Sequence, residues 1–137
     1  MTEDRPLMTE GDIHAFGIEI VFKQLEKDGW IIESADALAD LSTEPQITGH
    51  KDGETAFFIV RTGVYPHRGR FEEGQEAFET LVRHAMEHGA SCYFAAVMIA
   101  NADAKNEAEM SVPVKGVGYN IEFNGLVRME LESSSNA

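Results

Sequence analysis

Residues 45–62, PQITGHKDGETAFFIVRT, contain the clearest fold signal in this chain of 137 residues. Two runs of strand-forming residues, 46–50 and 55–61, flank Asp52-Gly53, a dipeptide that favours the tight turn of a β-hairpin. The two strands of such a hairpin pair antiparallel. This stretch therefore predicts two neighbouring strands at the centre of the fold.

Apolar residues recur at helical spacing in two other segments. Residues 12–28 carry an apolar stripe that ends before Gly29, and residues 71–88 carry one that ends before Gly89. Residues 92–100 are continuously apolar, as expected of a strand covered on both faces. Because a helix leading into such a strand indicates a parallel crossover, we expect a mixed α/β sheet flanked by helices.

The C-terminal part of the chain predicts a further hairpin. Residues 119–123 and 127–131 alternate between apolar and polar side chains, and Asn124-Gly125 lies between them. A three-residue loop, 124–126, keeps the apolar side chains of both strands on one face. With a short strand at 30–34, the predicted order is helix, strand, strand, strand, helix, strand and hairpin.

Composition indicates one domain. The chain is 43% hydrophobic, so we expect a single domain at 12–131 between a flexible arm, 1–11, and a flexible tail, 132–137. The net charge of -13 disfavours nucleic acid as a partner. The single Cys92 lies in an apolar run, which predicts an inert thiol and a cytoplasmic protein. No apolar run in the sequence is long enough for a membrane anchor.

The element order and the Gly17-x-Glu19 pattern of the first helix resemble the PD-(D/E)xK, or restriction-endonuclease-like, superfamily over residues 12–100. In that superfamily a Pro-Asp pair on one strand and a (Glu/Asp/Gln)-x-Lys on the next hold Mg²⁺ and position a water. The matching positions here are Gln46, Ile59 and Arg61. The resemblance therefore implies a restriction-endonuclease-like core with a degenerate active-site motif.

These side chains lack the groups that the superfamily's chemistry needs. Mg²⁺ needs anionic oxygens, but Gln46 offers one uncharged carbonyl oxygen and Ile59 offers none. Arg61 stays protonated and cannot act as a base. We expect a vestigial site of Glu19, Gln46 and Arg61 without metal or cofactor, in which Gln46 lies near Arg61 and Glu19 balances its charge. Alternatively, Gln46 and Arg61 form only structural hydrogen bonds.

Other residues could restore activity to this site. Active members of the superfamily sometimes carry an acidic residue on a neighbouring element, and the candidates here are Glu33, Asp40 and Glu44. A migrated carboxylate would hold Mg²⁺ and make the protein a divalent-metal-dependent nuclease. Mg²⁺ is expected only under this alternative.

The cationic residues of the chain concentrate in one segment, which contains Arg61, His67, Arg68 and Arg70 without an intervening acidic residue. In the resembled superfamily this segment lies near substrate phosphates, so these four residues are candidates for binding phosphate. The alternative is a solvated loop, because the charge of the whole chain opposes anionic ligands.

The run His84-Ala85-Met86-Glu87-His88 matches the His-x-x-Glu-His pattern of a class of zinc peptidases. Those enzymes take a third ligand from another helix. Because no third ligand can be placed here, we expect two exposed histidines and no metal.

The sequence thus favours a catalytically inactive domain that acts through binding or assembly. Residues 119–131 carry apolar alternation near a chain end, which predicts a homodimer. The alternatives are the metal-dependent nuclease and a small acidic chaperone of secreted effectors.

Overall fold

The computed structural model describes residues 6–131, which form three helices and five strands. All five strands belong to one sheet in the order β1-β2-β3-β4-β5. β3 and β4 are parallel, and the other neighbours are antiparallel. The predicted mixed α/β sheet is confirmed. In chain order the elements are α1 (Glu10–Lys27), β1 (Ile31–Ala35), β2 (Ile47–Lys51), β3 (Glu54–Val64), α2 (Gln75–Glu87), β4 (Ala90–Asn101), α3 (Glu107–Met110) and β5 (Tyr119–Arg128).

The sheet carries a hydrophobic cluster on each face. Phe58 and Val60 of β3 belong to the cluster under α1, whereas Phe57 and Ile59 belong to the cluster under α2. Successive side chains of a strand point to opposite faces, so a strand between two helical layers must be apolar at every position. This explains the continuous apolar runs of β3 and β4. None of the helices within residues 6–131 is long and apolar enough to cross a membrane.

The chain before α1 is held by a second segment. The backbone N–H of Met8 donates to Pro113 O at 2.7 Å, and that of Lys115 donates to Pro6 O at 2.9 Å. Of the predicted arm, 1–11, residues 6–9 thus lie against the segment before β5, and residues 10 and 11 belong to α1. Residues 1–5 and the predicted tail, 132–137, lie outside the described part of the chain.

α1 begins before the predicted Asp12. Thr9 Oγ1 accepts from the Asp12 N–H at 3.0 Å, and Asp12 Oδ2 accepts from the Thr9 N–H at 2.9 Å. This reciprocal capping box satisfies two N–H groups that the first turn leaves without helical partners. The cap is therefore Thr9, and Asp12 lies within the first turn.

The predicted C-terminal hairpin is wrong. β5 is one strand that continues through Asn124 and Gly125, and these two residues lie opposite the single residue Ala96 of β4. The extra residue is a β-bulge, and Gly125 has a φ of 107° that favours glycine. The Asn-Gly pair thus produces a bulge, because hydrogen bonds to β4 hold both sides of it in one strand.

The bulge also explains the pattern of apolar residues on β5. Phe123 before it and Leu126 after it both pack against the cluster under α1, whereas Met129 belongs to the cluster under α2. One inserted residue shifts every later side chain to the other face of the strand. The apolar residues of 127–131 therefore serve the opposite face from those of 119–123.

α2 begins at Gln75 and not at the predicted residue 71. Gly74 precedes it with a φ of 101°, a conformation that is incompatible with a helix. Phe71, Glu72 and Glu73 therefore lie in the segment before α2 and not in its first turn. This placement leaves Glu73 free to reach β3.

Gly17 sets the distance between α1 and β3. A Cβ atom at this position would lie 1.6 Å from Thr62 Oγ1 and 2.7 Å from Thr62 Cβ. The missing side chain therefore lets the helix backbone pack directly on a side chain of the sheet. Close packing on Thr62 therefore explains the glycine of the Gly17-x-Glu19 pattern.

We predict that Gly17→Ala destabilises the protein by about 1–3 kcal/mol, because α1 must move away from Thr62 to admit one methyl group. Urea unfolding followed by circular dichroism measures this change. Gly11→Ala in the same helix is the matched control, since its Cβ would meet only Thr9 Oγ1 at 3.8 Å. Equal stability of the two variants would contradict the packing explanation.

Candidate functional site

The Arg61 side chain is buried at the sheet, with 6% of its surface exposed. Its Nε and Nη2 donate to Glu73 Oε1 at 3.1 and 2.9 Å. Its Nη1 donates to Gln46 Oε1 at 3.1 Å and to Val60 O at 2.9 Å, and Nη2 also donates to Leu41 O at 3.0 Å. A guanidinium has five N–H donors, and these five hydrogen bonds use all of them.

The carbonyl oxygen of Gln46 is likewise fully used. It is 1% exposed and immediately precedes β2. Besides the bond from Arg61, its Oε1 accepts from the Val60 N–H at 2.9 Å, and its Nε2 donates to Glu44 O at 3.3 Å. Buried polar groups need such partners, because an unsatisfied one costs about 1–3 kcal/mol. Gln46 therefore joins the backbone of β3 to the chain before β2.

Glu73 and Phe71 complete the surroundings of Arg61. The Glu73 side chain is 20% exposed, and the Arg61 guanidinium carbon lies 5.2 Å from the centre of the Phe71 ring. A cation over an aromatic face gains further electrostatic attraction. We refer to Gln46, Arg61, Phe71 and Glu73 as the Arg61 clamp.

The clamp agrees with the sequence prediction in one respect and corrects it in another. Gln46 and Arg61 lie in direct contact, as expected. The carboxylate that balances Arg61 is Glu73, and the expectation of Glu19 is wrong. Glu19 is exposed on α1 and pairs with Lys23 at 3.2 Å. Glu72 and Glu73 are the first acidic residues after the cationic segment. Their position in the sequence was the signal that could have indicated the counter-ion of Arg61.

An open cleft of about 670 Å³ lies beside the clamp. It is bounded by the start of α1, the end of β3 and the segment that leads to α2. His14 of α1 lies on one side and Arg61 borders the cleft from β3. The remaining ionisable residues of its wall are Glu10, His67, Arg68, Arg70, Glu72 and Glu73.

All four candidate phosphate ligands border this cleft, but they are not equivalent. Arg61 is saturated within the clamp, and Arg68 Nη2 donates to Glu122 Oε1 at 2.6 Å. His67 and Arg70 are exposed, and no hydrogen bond joins either side chain to another of residues 6–131. The cleft thus offers two uncommitted candidates, His67 and Arg70, for an anionic group.

His14 was not identified from the sequence. Its Nε2 is buried, and the structure of residues 6–131 gives it no hydrogen-bond partner. Burial lowers the pKa of His14 below its ordinary value of 6.5, the positive charge of Arg61 lowers it further, and Glu73 acts in the opposite direction. His14 is therefore a neutral imidazole near the clamp at neutral pH. A histidine on a helix has no sequence signal that distinguishes this role.

The acidic residues that might have migrated into the site are engaged elsewhere. Glu33 pairs with His50 at 2.8 Å, and Asp40 Oδ1 accepts from the Ser42 N–H at 2.8 Å. Glu44 Oε1 accepts from the Asp40 N–H at 3.4 Å. Within the described chain, no three His, Cys, Asp or Glu side chains converge to hold a metal ion.

Of the two histidines that were expected to be exposed, His88 is exposed and His84 is half-buried. The Nδ1 atoms of His84 and His88 hydrogen-bond to Thr43 O at 3.0 Å and to His84 O at 2.9 Å, and both rings contact Phe57. These contacts give the two rings a structural role. Burial raises the pKa of the Cys92 thiol to about 11, so this thiol is a poor nucleophile.

The model of the family Domain of unknown function (DUF8840) matches residues 11–129. The chain belongs to this family. The DUF8840 match contains all four residues of the Arg61 clamp and the cleft wall from Gly11 to Glu73. No curated protein matches the chain.

We predict that Glu73→Gln destabilises the protein by about 3 kcal/mol, because it leaves the buried Arg61 charge without a counter-ion. Glu122→Gln is the matched control. It removes the carboxylate of an exposed pair with Arg68 and should cost less than about 1 kcal/mol. Chemical denaturation measures both changes. Similar losses in the two variants would show that the clamp contributes no more than a surface ion pair.

His14 makes stability dependent on pH. Its native pKa is lower than 6.5, so the unfolded chain binds more protons as the pH falls, and stability decreases from about pH 7 through 6.5 and below. His14→Gln should reduce this slope of unfolding free energy between about pH 7.5 and 5. The control is Gly11→Ala, which changes the same helix without removing a titratable group and should keep the wild-type slope. An unchanged slope in His14→Gln would contradict the assignment.

Proposed function

We propose that this protein is a restriction-endonuclease-like domain that has lost catalysis and acts through binding or assembly. The element order α1-β1-β2-β3-α2-β4, with antiparallel β2–β3 pairing and parallel β3–β4 pairing, supports the resemblance to that core. The membership in DUF8840 assigns no activity, so the proposal depends on the geometry of the clamp.

The observation that carries the proposal is the saturation of Arg61. All five guanidinium N–H groups are used within the protein, so none remains to contact a substrate phosphate or a water. A guanidinium group is also not a general base in proteins, so Arg61 offers no group to deprotonate a water. Arg61 therefore joins segments of the chain and does no chemistry.

The same cation opposes a metal ion. Mg²⁺ at the superfamily position would lie beside a buried guanidinium, and the nearby carboxylate, Glu73, already neutralises that guanidinium. Gln46 has both carbonyl lone pairs occupied by Val60 and Arg61. To bind here, Mg²⁺ would have to break the hydrogen bonds of the clamp. The buried charge of Arg61 would then be left without its partners.

Binding would use the cleft, where His67 and Arg70 are uncommitted. An anionic group such as a phosphate fits these residues, whereas a long nucleic acid would meet the acidic surface of a chain with a net charge of -13. A divalent-metal-dependent nuclease and a small acidic chaperone of secreted effectors are the alternatives. DNA cleavage in the presence of a divalent metal distinguishes the nuclease from the inactive domain that we propose.

We predict that supercoiled plasmid and branched DNA remain uncut by the protein in millimolar Mg²⁺ or Mn²⁺. Millimolar Mg²⁺ should also leave the melting temperature unchanged, because a ligand that does not bind the native state cannot stabilise it. Gel electrophoresis and differential scanning fluorimetry measure the two quantities.

Glu72→Gln is the control variant for this experiment, since it removes a carboxylate of the cleft wall that lies outside the clamp. Cleavage by the wild type that disappears in Glu72→Gln and in Arg61→Ala would establish the nuclease. A rise of several degrees with Mg²⁺ that Glu72→Gln abolishes would also overturn the inactive assignment.

A further inference from the structure

The outer edge of β5 is open. β5 is the last strand of the sheet, and among residues 6–131 it pairs only with β4. The opposite edge strand, β1, has five residues and an irregular register, whereas β5 has ten. An open strand edge presents unpaired N–H and C=O groups that another strand can bind. We refer to residues 119–123, which precede the bulge, as the β5 edge segment.

The edge segment borders an apolar groove. Three cavities of about 420, 690 and 350 Å³ lie side by side between α1 and β5, and neighbouring cavities share Phe16 or Gln24. Ile121 lines the middle cavity, and 48% of its surface is exposed. The apolar surface therefore continues to the edge of the sheet at β5. No helix or strand of residues 6–131 covers it there.

The charges along this groove are nearly balanced. Three of the five lysines of the chain line it, although the whole chain has a net charge of -13. A basic partner would prefer an acidic surface, but a second copy of an acidic chain approaches best where its own charge is nearly neutral. The lining residues are acidic at Asp12, Glu19, Glu26 and Asp28 and basic at Lys23, Lys27 and Lys115.

We propose that two copies of this chain pair through their β5 edge segments, antiparallel about a two-fold axis at Ile121. The inference names the partner for the assembly in the proposed function and rests on it to that extent. In this register Tyr119 faces Phe123 of the second copy, Ile121 faces Ile121, and Asn120 faces Glu122. Aromatic and aliphatic pairs on one face stabilise an antiparallel pairing, and no like charges are opposed.

The bulge confines this pairing to residues 119–123, and a two-fold axis at Ile121 is the one that pairs all five of them. Phe123 and Leu126 lie on the same face with two residues between them, so a pairing that crosses the bulge would oppose residues of different faces. A two-fold at Ile121 keeps the paired residues on the uninterrupted part of the strand. The self-pairing therefore joins the two sheets into one sheet of ten strands.

The test is a cysteine cross-link. Ile121→Cys places two thiols directly opposite each other at the two-fold axis, where the Cα separation of paired strands, about 4.5–5.5 Å, permits a disulfide. The native Cys92 is buried and does not compete. On mild oxidation, most of the variant should migrate at twice the chain mass of 15.1 kDa in a non-reducing gel.

Val127→Cys is the matched control. Val127 is more exposed, at 64%, and lies on the same strand beyond the bulge. Because it lies outside the paired segment, the Val127→Cys variant should migrate as a monomer in the same gel. A cross-link at Val127 with none at Ile121 would overturn the register. A strand from a different protein at this edge would leave both variants monomeric, which would overturn the proposal.

The association itself is measured by analytical ultracentrifugation of the wild type and of Ile121→Asp. The wild type should be a dimer at micromolar concentration, with a dimer fraction that increases with NaCl, because salt screens the repulsion between two acidic chains. Ile121→Asp should be a folded monomer by circular dichroism. A monomeric wild type in both low and high salt would overturn the proposal.

The plasmid assay on the same samples separates this inference from the proposed function. A cleaving dimer would refute the inactive assignment and leave the strand pairing in place. An inactive monomer would refute the pairing and leave the inactive assignment in place.

Discussion

The burial of the Arg61 charge is the constraint on which the arrangement of this domain depends. A guanidinium that is removed from water is tolerated only when counter-ions and hydrogen-bond acceptors surround it. Glu73 supplies the counter-ion, and Gln46, Leu41 and Val60 supply the remaining acceptors. These groups come from three separate parts of the chain. The hydrogen bonds and the ion pair of Arg61 therefore position the segment before β2, the end of β3 and the segment before α2.

If the proposed resemblance holds, the Arg61 clamp takes the place of a nuclease centre. In the resembled superfamily, carboxylates and a lysine at these positions are left available to metal and water. Here Gln46 and Arg61 satisfy each other and the backbone around them, so the polar groups hold the structure together. The neighbouring cleft keeps His67 and Arg70 available. The proposed binding role leaves these hydrogen bonds in place, whereas metal-dependent catalysis would require some of them to break.

The groove between α1 and β5 differs in charge from the chain as a whole. The whole chain carries a net charge of -13, which disfavours contact with anions. The groove carries a mixed and nearly balanced set of charges beside the exposed Ile121, at an edge that no other strand of residues 6–131 covers. The bulge at Gly125 shortens the part of this edge that can pair. In the proposed dimer, the two chains thus meet less repulsion here than their net charges alone would give.

The proximity of Gln46 to Arg61 was expected from the resemblance to the restriction-endonuclease-like superfamily. The sequence by itself determined the central strands and both large helices. These follow from the turn at Asp52-Gly53 and from apolar periodicity, which depend on neighbours in the chain. Only the tertiary structure decided that Glu73 and not Glu19 balances Arg61, and that Asn124-Gly125 forms a bulge and not a turn. An ion-pair partner is chosen by distance in space, and a dipeptide that suits either a turn or a bulge is decided by the strand beside it. Both depend on residues far away in the sequence, which local patterns do not report.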